Sequence, residues 1–319
     1  MKKKLICTIS ILVLAAALCS GCSTAPFKIT DSFASYYAKN KEEVGSDLKG
    51  MASDLAVLSD SEATDPNYQS NDYADLLIND STNEVLESYH CFDRLYPASI
   101  TKVMTALLTL EHGNMDDEIT LKHDINLTEN GAVISTLTKG DTVTVGQVFH
   151  TMLIKSANDC AVILAEYVAG SESKFIDMMN AKAKELGATH THFVNPNGLH
   201  DNNHYTTAYD LYLIFKEAVK YDTFVDTVSS KDYTMTYTTP KKTQINEYMQ
   251  STNYYLLNEF PVPEGVVMYG GKTGTTSMAK SCLILMNKKG ERFFSVVLGA
   301  ETKDMLYSSM SQLLEKTAN

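Results

Sequence analysis

The chain has 319 residues and a formal net charge of −12 at pH 7, from 39 acidic and 27 basic side chains. An acidic balance of this size argues against nucleic acid and anionic lipid surfaces as binding partners, because both repel negative charge. Once an N-terminal export segment and a polar stretch are set aside, about 245 residues remain, which is enough for one large domain.

The N-terminus has the pattern of an export signal. Three lysines, Lys2 to Lys4, precede an apolar run from Leu5 to Leu18 that is too short to cross a bilayer comfortably. The stretch LCSGC resembles the lipobox of bacterial lipoproteins, which implies that Cys22 is lipidated, although Cys19 stands where leucine is usual. An ordinary cleaved signal and a single-pass anchor are the alternatives. Removal of residues 1–22 takes away three lysines and no acids, so the net charge goes from −12 to −15.

Residues 23–72 are polar and acidic and are interpreted as a flexible stalk between the membrane and a domain over residues 73–319. We expect the protein on the extracytoplasmic face of the cell membrane, held by its lipid, or secreted if the lipobox interpretation is wrong. Cys91, Cys160 and Cys282 remain after processing. Their spacing is not that of a disulfide framework, so free buried thiols with at most one bridge are expected.

The predicted elements begin with a β-hairpin. The stretch ADLLINDSTNEVLESY predicts strands over Leu76–Asn79 and Val85–Tyr89, with a turn around Ser81–Asn83. A helix-rich segment follows from Pro97 to about Val228, including a helix in SKFIDMMNAKAKELG.

Strands return late in the chain. The segments DYTMTYTT, GVVMYGGKTGT and SCLILMNKKGERFFSVVLGA have strand character, the last split around Lys288–Gly290, and a final helix covers about Lys303–Lys316. Strands at both ends predict an α/β (α+β) fold, with one antiparallel sheet built from both chain ends and flanked by helices, plus an all-helical subdomain. A functional site would lie in the cleft between the two parts.

A lone lysine marks the first helix of the middle segment. From Leu95 to Leu110, LYPASITKVMTALLTL contains one charged residue, Lys102, among apolar residues at helical spacing. Pro97 predicts a helix start within a residue or two of Ala98, which places Ser99 in the opening turn, three residues before Lys102. One interpretation is a capping serine beside a solvated lysine. The other is a desolvated lysine with a lowered pKa, able to act as a base on the neighbouring hydroxyl.

Two later motifs are ordinary when taken alone. Ser156-Ala157-Asn158 lies between two apolar helical segments, with Asp159 placed to cap the second, and such residues are common in a helix–turn–helix joint. Lys272-Thr273-Gly274 lies on a predicted strand, where glycines on both sides allow a ligand or another backbone to approach closely. The alternative for this tripeptide is a simple glycine-rich turn.

In their order along the chain, the three motifs resemble the Ser-x-x-Lys, Ser-x-Asn and Lys-Thr-Gly set of penicillin-binding proteins and serine β-lactamases. More closely, residues 73–317 resemble the low-molecular-weight D-alanyl-D-alanine carboxypeptidases, the S11 peptidases. The matching stretches are YPASITKVMTALL, TLTKGDTVTVGQVFHTMLIKSANDCAVILAEYVAG, FVNPNGLHDNNHYTTAYDL and GGKTGTTSMAKSCLI. This resemblance implies a β-lactamase/transpeptidase-like fold and an enzyme without a cofactor.

The resemblance also implies catalytic roles. Ser99, activated by neutral Lys102, would attack the carbonyl between the two terminal D-alanines of a peptidoglycan stem peptide and form an acyl-enzyme. Ser156 would pass a proton to the departing D-alanine. β-Lactam antibiotics would enter the same site as inhibitors and stay acylated.

The substrate-binding roles follow in the same way. Asn158 would hold the substrate amide, while Lys272 and Thr273, followed by Gly274, would bind the terminal carboxylate. Backbone N–H groups of Ser99 and Thr275 would form the oxyanion hole.

Departures from the family pattern are modest. Tyr209 stands where many relatives have arginine, and Ala157 replaces the commoner glycine. The additional C-terminal β-domain and amphipathic anchor of many relatives are not seen, so the N-terminal lipid is expected to be the membrane tether.

The competing hypotheses are a metal enzyme, a β-lactamase and a non-catalytic β-lactam or muropeptide sensor. A zinc site would need His190, His192, His200 and His204, but the last two lie in a predicted loop, HExxH is absent, and no metal is expected. The class A β-lactamase pattern E-x-x-L-N is missing. A sensor normally sits on signalling transmembrane helices. A transpeptidase or endopeptidase stays open, since only the acceptor of the acyl group differs.

Overall fold

The computed structural model describes residues 55–56, 73–127, 129 and 132–317. The predicted export signal, the predicted lipidation site Cys22 and most of the predicted stalk lie outside these residues. Among the described residues, no helix is long and apolar enough to cross a membrane.

The central element is a five-stranded antiparallel sheet in the order β2-β1-β9-β8-β7. Its strands are β1 Ala74–Asn79, β2 Glu84–Tyr89, β7 Val267–Thr276, β8 Lys280–Lys289 and β9 Glu291–Ala300. Strand β1 is buried on both faces and pairs with β9, so the hairpin near the start of the domain is joined to the last strand. The prediction of a sheet built from both chain ends is therefore confirmed.

The described residues form seven helices. They are α1 Lys102–His112, α2 Val145–Ile154, α3 Asn158–Ala169, α4 Glu172–Glu185, α5 Ala208–Ala218, α6 Asp222–Val228 and α7 Lys303–Lys316. A 3-10 turn, Ala98–Thr101, leads directly into α1. The residues of α1 from Lys102 to Thr109 are all buried. A helix buried all round belongs at the centre of a domain, which is where α1 lies.

A second sheet corrects the prediction of an all-helical subdomain. Its four antiparallel strands are β3 Glu118–Thr120, β4 Thr142–Thr144, β5 Asp232–Thr238 and β6 Gln244–Gln250. Two of these strands have three residues each, too few for a periodic signal, and β6 carries mostly polar side chains. These features explain why only β5 was predicted from the sequence.

Two apolar clusters cover the two faces of the first sheet. The larger lies under the helices, where Phe294 of β9 meets Phe215 and Tyr212 of α5 at ring-centroid distances of 5.7 and 5.9 Å. The smaller lies between the sheet and α7. Helices therefore cover one face of the sheet and α7 covers the other, which gives three layers with the sheet in the middle.

Within the predicted stalk, Ala56 is fully buried against α5. The hydroxyl of Tyr209 donates to the Ala56 carbonyl at 2.7 Å, and the Ala56 N–H donates to the Tyr212 hydroxyl at 3.3 Å. The tyrosine that departs from the family pattern therefore contacts this segment. The three cysteines of the domain are buried thiols, as predicted, and form no disulfide among the described residues.

Candidate active site

Ser99 lies in the 3-10 turn rather than in the α-helix itself. Pro97 caps the turn, and the α-helix begins at Lys102, so the predicted start near Ala98 is that of the turn. Ala98 has a φ of 48°, in the left-handed region that non-glycine residues rarely adopt. Such strain persists where surrounding contacts hold it, and it is common at functional sites.

Lys102 is fully buried, so the interpretation of a solvated surface lysine is wrong. Its ammonium nitrogen Nζ lies 2.9 Å from Ser99 Oγ, 2.8 Å from Asn158 Oδ1 and 2.6 Å from the carbonyl oxygen of Asn197. Burial, and then the nearby charge of Lys272, lower the pKa of Lys102 well below its usual value. The neutral amine is the form that can accept a proton from the serine hydroxyl.

Ser156 and Asn158 reach the site from the junction of α2 and α3. Ser156 follows the end of α2 with a φ of 64°, and Asn158 is the first residue of α3. The Asn158 side chain accepts from Lys102 and donates through Nδ2 to the carbonyl of Val133 at 3.0 Å. Because an amide nitrogen carries two hydrogens, one remains for a ligand.

The predicted capping role of Asp159 is wrong. Ala157 occupies the N-cap position of α3 without a side-chain hydrogen bond, and Asp159 lies in the first turn. Its carboxylate instead accepts hydrogen bonds from the backbone N–H of Ser135 at 2.9 Å and from the Ser135 hydroxyl at 2.5 Å. Asp159 therefore joins α3 to the segment that precedes β4.

Strand β7 brings Lys272 to the opposite side of the cleft. Its buried Nζ donates to Ser156 Oγ at 2.9 Å and to the carbonyl of Thr273 at 2.8 Å. Burial lowers the pKa of Lys272 to about 7. The hydroxyls of Thr273 and Thr252 are in hydrogen-bond contact.

The position after Lys272 and Thr273, Gly274, lacks space for a side chain. A Cβ at Gly274 would lie 2.9 Å from the carbonyl oxygen of Pro97 and 3.0 Å from the backbone nitrogen of Ser99. The absence of a side chain lets β7 approach the 3-10 turn that carries Ser99, which we call the nucleophile turn, closely. Thr275, the next residue, is exposed and lines the cleft.

Asn197 was not singled out from the sequence. Its carbonyl accepts from Lys102, and the following Gly198 has a φ of 85° and would place a Cβ 1.9 Å from the carbonyl oxygen of Ala98. The Asn-Pro-Asn-Gly stretch was available as a signal, because a turn with an obligatory glycine marks a close backbone approach.

These groups surround an open cleft of about 330 Å³. All the proposed motif residues except the fully buried Lys102 and Lys272 line it. Lys155, Tyr254 and Lys303 also line it, although no sequence motif indicated them. The Lys303 ammonium lies 4.8 Å from the centre of the Tyr254 ring and donates to the Tyr254 hydroxyl at 2.8 Å.

The histidines His192 and His204 make separate contacts. His204 is buried, with Nε2 2.8 Å from the hydroxyl of Thr101, whereas His192 contacts the carbonyl of Asn203. Among the described residues, no group of three or more histidine, cysteine or acidic side chains is arranged to hold a metal ion.

The site contains a serine hydroxyl next to a desolvated lysine, a second hydroxyl next to a second desolvated lysine, and a cleft open to a ligand. This arrangement suits attack of a serine on a carbonyl with proton transfer through lysines. The fold and the site together are those of the β-lactamase-like class of proteins.

Comparison with known proteins identifies the family within this class. A family model of peptidase S11, D-alanyl-D-alanine carboxypeptidase, matches residues 60–302. The chain therefore belongs to the S11 family of D-alanyl-D-alanine carboxypeptidases.

Two curated relatives illustrate the extent of the similarity. The chain is 35% identical over 245 residues to the D-alanyl-D-alanine carboxypeptidase DacF of Bacillus subtilis, covering 75% of this chain and 60% of that protein. It is 32% identical over 249 residues to DacC of Escherichia coli, covering 75% of this chain and 59% of that protein. The chain thus matches about three fifths of the length of these relatives.

Solved structures confirm the predicted fold class. The Streptomyces K15 DD-transpeptidase superimposes with a TM-score of 0.71 at 26% identity, over 79% of this chain and 98% of that one. Penicillin-binding protein D2 of Listeria monocytogenes, solved with cefotaxime bound, has a TM-score of 0.66 at 28% identity, over 80% and 100% of the two chains.

Proposed function

We propose that this protein is a serine D-alanyl-D-alanine carboxypeptidase that removes the terminal D-alanine from peptidoglycan stem pentapeptides and binds penicillin. The observation that carries the proposal is the buried Lys102, with a lowered pKa, 2.9 Å from Ser99 Oγ. Family membership and the names of the relatives support the choice of substrate.

In the proposed acylation step, Ser99 Oγ attacks the carbonyl between the two D-alanines while its proton passes to the neutral amine of Lys102. The negative charge that develops on the carbonyl oxygen is stabilised by the backbone N–H groups of Ser99 and Thr275. The C–N bond then breaks, and the leaving nitrogen takes a proton from the hydroxyl of Ser156.

Lys272 and Thr273 bind the terminal carboxylate, as a cation and a hydroxyl meeting an anion. Lys272 also returns a proton to Ser156, to which it is hydrogen bonded. The remaining N–H of Asn158 holds the substrate amide. Water then attacks the acyl-enzyme and its proton passes through Ser156 to Lys272, which is neutral after acylation. Protonated Lys102 returns its proton to Ser99 Oγ as the shortened peptide leaves, so both lysines and the serine are restored.

The same attack on a β-lactam opens the ring without releasing a leaving group from the site, so the drug stays attached to Ser99. The Listeria protein bound to cefotaxime supports this proposal for β-lactams.

The test uses the purified protein, its Ser99→Ala variant and diacetyl-L-Lys-D-Ala-D-Ala. Ser308→Ala is the matched control, because Ser308 is exposed on α7 and outside the cleft. D-alanine release and a stable penicillin adduct, both lost in Ser99→Ala and both kept in Ser308→Ala, are the expected results. Penicillin labelling without D-alanine release would indicate a sensor or a transferase that needs another acceptor, and rapid loss of the adduct would indicate a β-lactamase.

We also propose that Cys22 is lipidated, that residues 23–72 are a stalk and that residues 73–319 form the enzymatic domain on the outer face of the membrane. The basic start, the short apolar run and LCSGC support this proposal. Cys22→Ala is expected to move the protein from the membrane fraction to the medium and to remove a lipid mass from its N-terminus. Membrane retention of an unlipidated Cys22→Ala protein would contradict it.

A further inference from the structure

One wall of the cleft is a short segment, residues 132–137, whose Ala132 and Val133 line the ligand space. The carbonyl of Val133 accepts from both the backbone N–H and the Nδ2 of Asn158, at 2.8 and 3.0 Å. We call this segment the 132–137 wall. Its position determines where the Asn158 side chain points, because Asn158 is hydrogen bonded to both the wall and Lys102.

The carboxylate of Glu247, on the second sheet, joins this wall to Lys155, the residue before Ser156. Glu247 lies on β6, and its Oε1 is 2.5 Å from Lys155 Nζ. Its Oε2 accepts from the Thr136 backbone N–H at 3.0 Å and from the Thr136 hydroxyl at 2.6 Å. One carboxylate therefore contacts both Lys155, which precedes Ser156, and Thr136, which belongs to the wall.

Glu247 is held in its charged form. Burial would raise the pKa of Glu247, but the hydrogen bonds from Lys155 and Thr136 outweigh that effect and leave the pKa below its usual value. The Glu247 side chain is 10% exposed, so the ion pair with Lys155 is shielded from solvent more than a surface pair would be.

The Ser156 turn needs such support. Ser156 has a left-handed φ of 64°, which costs a non-glycine residue about 1–3 kcal/mol and persists only when neighbouring contacts enforce it. Lys155 precedes Ser156 in the chain. The Lys272 ammonium donates a hydrogen bond to the Ser156 hydroxyl. Without Glu247, Lys155 would lose its ion-pair partner, and the turn would be free to relax.

We propose that Glu247 is a positioning residue that holds the Ser156 turn and the 132–137 wall in the geometry needed for acylation of Ser99. It touches neither the substrate nor the nucleophile and acts through Lys155 and Thr136. This inference rests on the proposed function only where D-alanine release is measured. Acylation by penicillin reports on the same geometry without requiring that release.

The experiment compares the full chain with Glu247→Gln, which keeps the shape and removes the charge, and Glu247→Asp, which keeps the charge. Glu118→Gln is the matched control, because Glu118 is an exposed acid on strand β3 of the same sheet. Rates of D-alanine release and of acylation by fluorescent penicillin are expressed per penicillin-reactive site, so a partly unfolded sample does not lower them.

Glu247→Gln is expected to lower both per-site rates about tenfold or more, since a displacement of order 1 Å costs up to about a hundredfold. Glu247→Asp should recover part of the loss, and Glu118→Gln should match the unmodified protein. Lys155→Met should lower the rates as well. Combining Lys155→Met with Glu247→Gln should give less than the product of the two losses, because both remove one interaction.

Per-site rates in Glu247→Gln within twofold of the unmodified protein would overturn the proposal, as would fully multiplicative losses in the double variant. If Glu247→Gln does not fold, Thr136→Val decides, because Thr136 is exposed, donates its hydroxyl to Glu247 and does not line the cleft. If the unmodified protein is acylated by penicillin but releases no D-alanine, the proposed function fails while the acylation rates still test the positioning role.

Discussion

Two regions contribute groups to the cleft in different ways. One is formed by the motifs of Ser99 and of Lys272, which we call the nucleophile edge, and the other is the second sheet. At the nucleophile edge, Ser99 and Lys102 are three residues apart, and Lys272 to Gly274 are consecutive. On the second sheet, Glu247 contacts Lys155 and Thr136 across 92 and 111 residues of chain. The reactive groups therefore come as short local motifs, whereas the groups that orient them are brought together by long-range contacts.

This difference shows how the two regions divide the work. Burial is the largest cause of the lowered pKa of both site lysines, because desolvation disfavours an ammonium wherever the chain places it. The orientation of the site groups depends on more than burial. The left-handed turn at Ser156 and the 132–137 wall need partners from outside their own segments. Changes at the nucleophile edge should abolish activity, and changes in the second sheet should reduce it.

The largest effect is expected at the contact between β7 and the nucleophile turn. In Gly274→Ala, the new methyl group would press on the Pro97 carbonyl and the Ser99 nitrogen, so kcat/KM for the D-Ala-D-Ala peptide should fall about a hundredfold. In Gly290→Ala, the methyl group meets no atom within 4 Å, and a left-handed φ of 77° should cost only about 1 kcal/mol of stability. Equal activity in the two variants would show that close approach of β7 is unimportant.

The pH dependence should show both lysines. Lys102 must be neutral and Lys272 charged, so kcat/KM should rise with pH while Lys102 loses its proton and fall above pH about 7, where Lys272 loses its own. The lysines influence each other, so the two limbs belong to the pair.

Lys272→Arg is the informative variant for this profile, because arginine stays charged. It should abolish the alkaline limb while keeping a cation near Ser156. An unchanged alkaline limb in Lys272→Arg would assign that limb to another group. The rate at each pH should be divided by the penicillin-reactive fraction to exclude unfolding.

A smaller effect is expected for stability below neutral pH. Burial lowers the pKa of His204 to about 3, so the unfolded chain binds a proton near pH 6.5 that the folded chain does not. Stability is therefore retained above pH 6.5 and falls by about 1.4 kcal/mol per pH unit between pH 6.5 and 3.

His204→Gln should flatten this dependence in denaturant titrations between pH 4 and 7. His112→Gln is the control, since His112 is half exposed on α1. The same slope in both variants would rule out His204 as the titrating group.

The smallest effect is expected for a contact that stays within the second sheet. Thr120 and Thr142 face each other on β3 and β4 with their hydroxyls 2.9 Å apart on an exposed surface. Thr142→Val should lower the unfolding free energy by about 0.5 kcal/mol and leave the per-site acylation rate unchanged. A reduced acylation rate would show that the sheet as a whole, rather than Glu247, supports the site.

Much of the fold could be predicted from the sequence because its signals are strong where burial is strong. The final helix was predicted at its observed bounds, and the strands around Lys288–Gly290 were placed correctly. The second sheet could not be predicted, since β3 and β4 have three residues each and β6 is largely polar.

The site shows the same division. Ser99, Ser156 and Lys272 were found because their motifs are contiguous, and the structure brings all three within hydrogen-bond contact of a partner lysine or serine. Asp159 was misplaced because an acid near a helix start usually caps it, and the tertiary partner Ser135 outweighs that preference.

By itself, the sequence determined the reactive groups, the family and most of the first sheet, because motifs and hydrophobic periodicity are local properties of a chain. Only the tertiary structure decided that Lys102 and Lys272 are both buried and face the two serines of the cleft. It also decided that Asn197 and Glu247 complete the surroundings of the site. The physical reason is that desolvation and hydrogen-bond geometry depend on which distant segments pack together, and no local pattern specifies that.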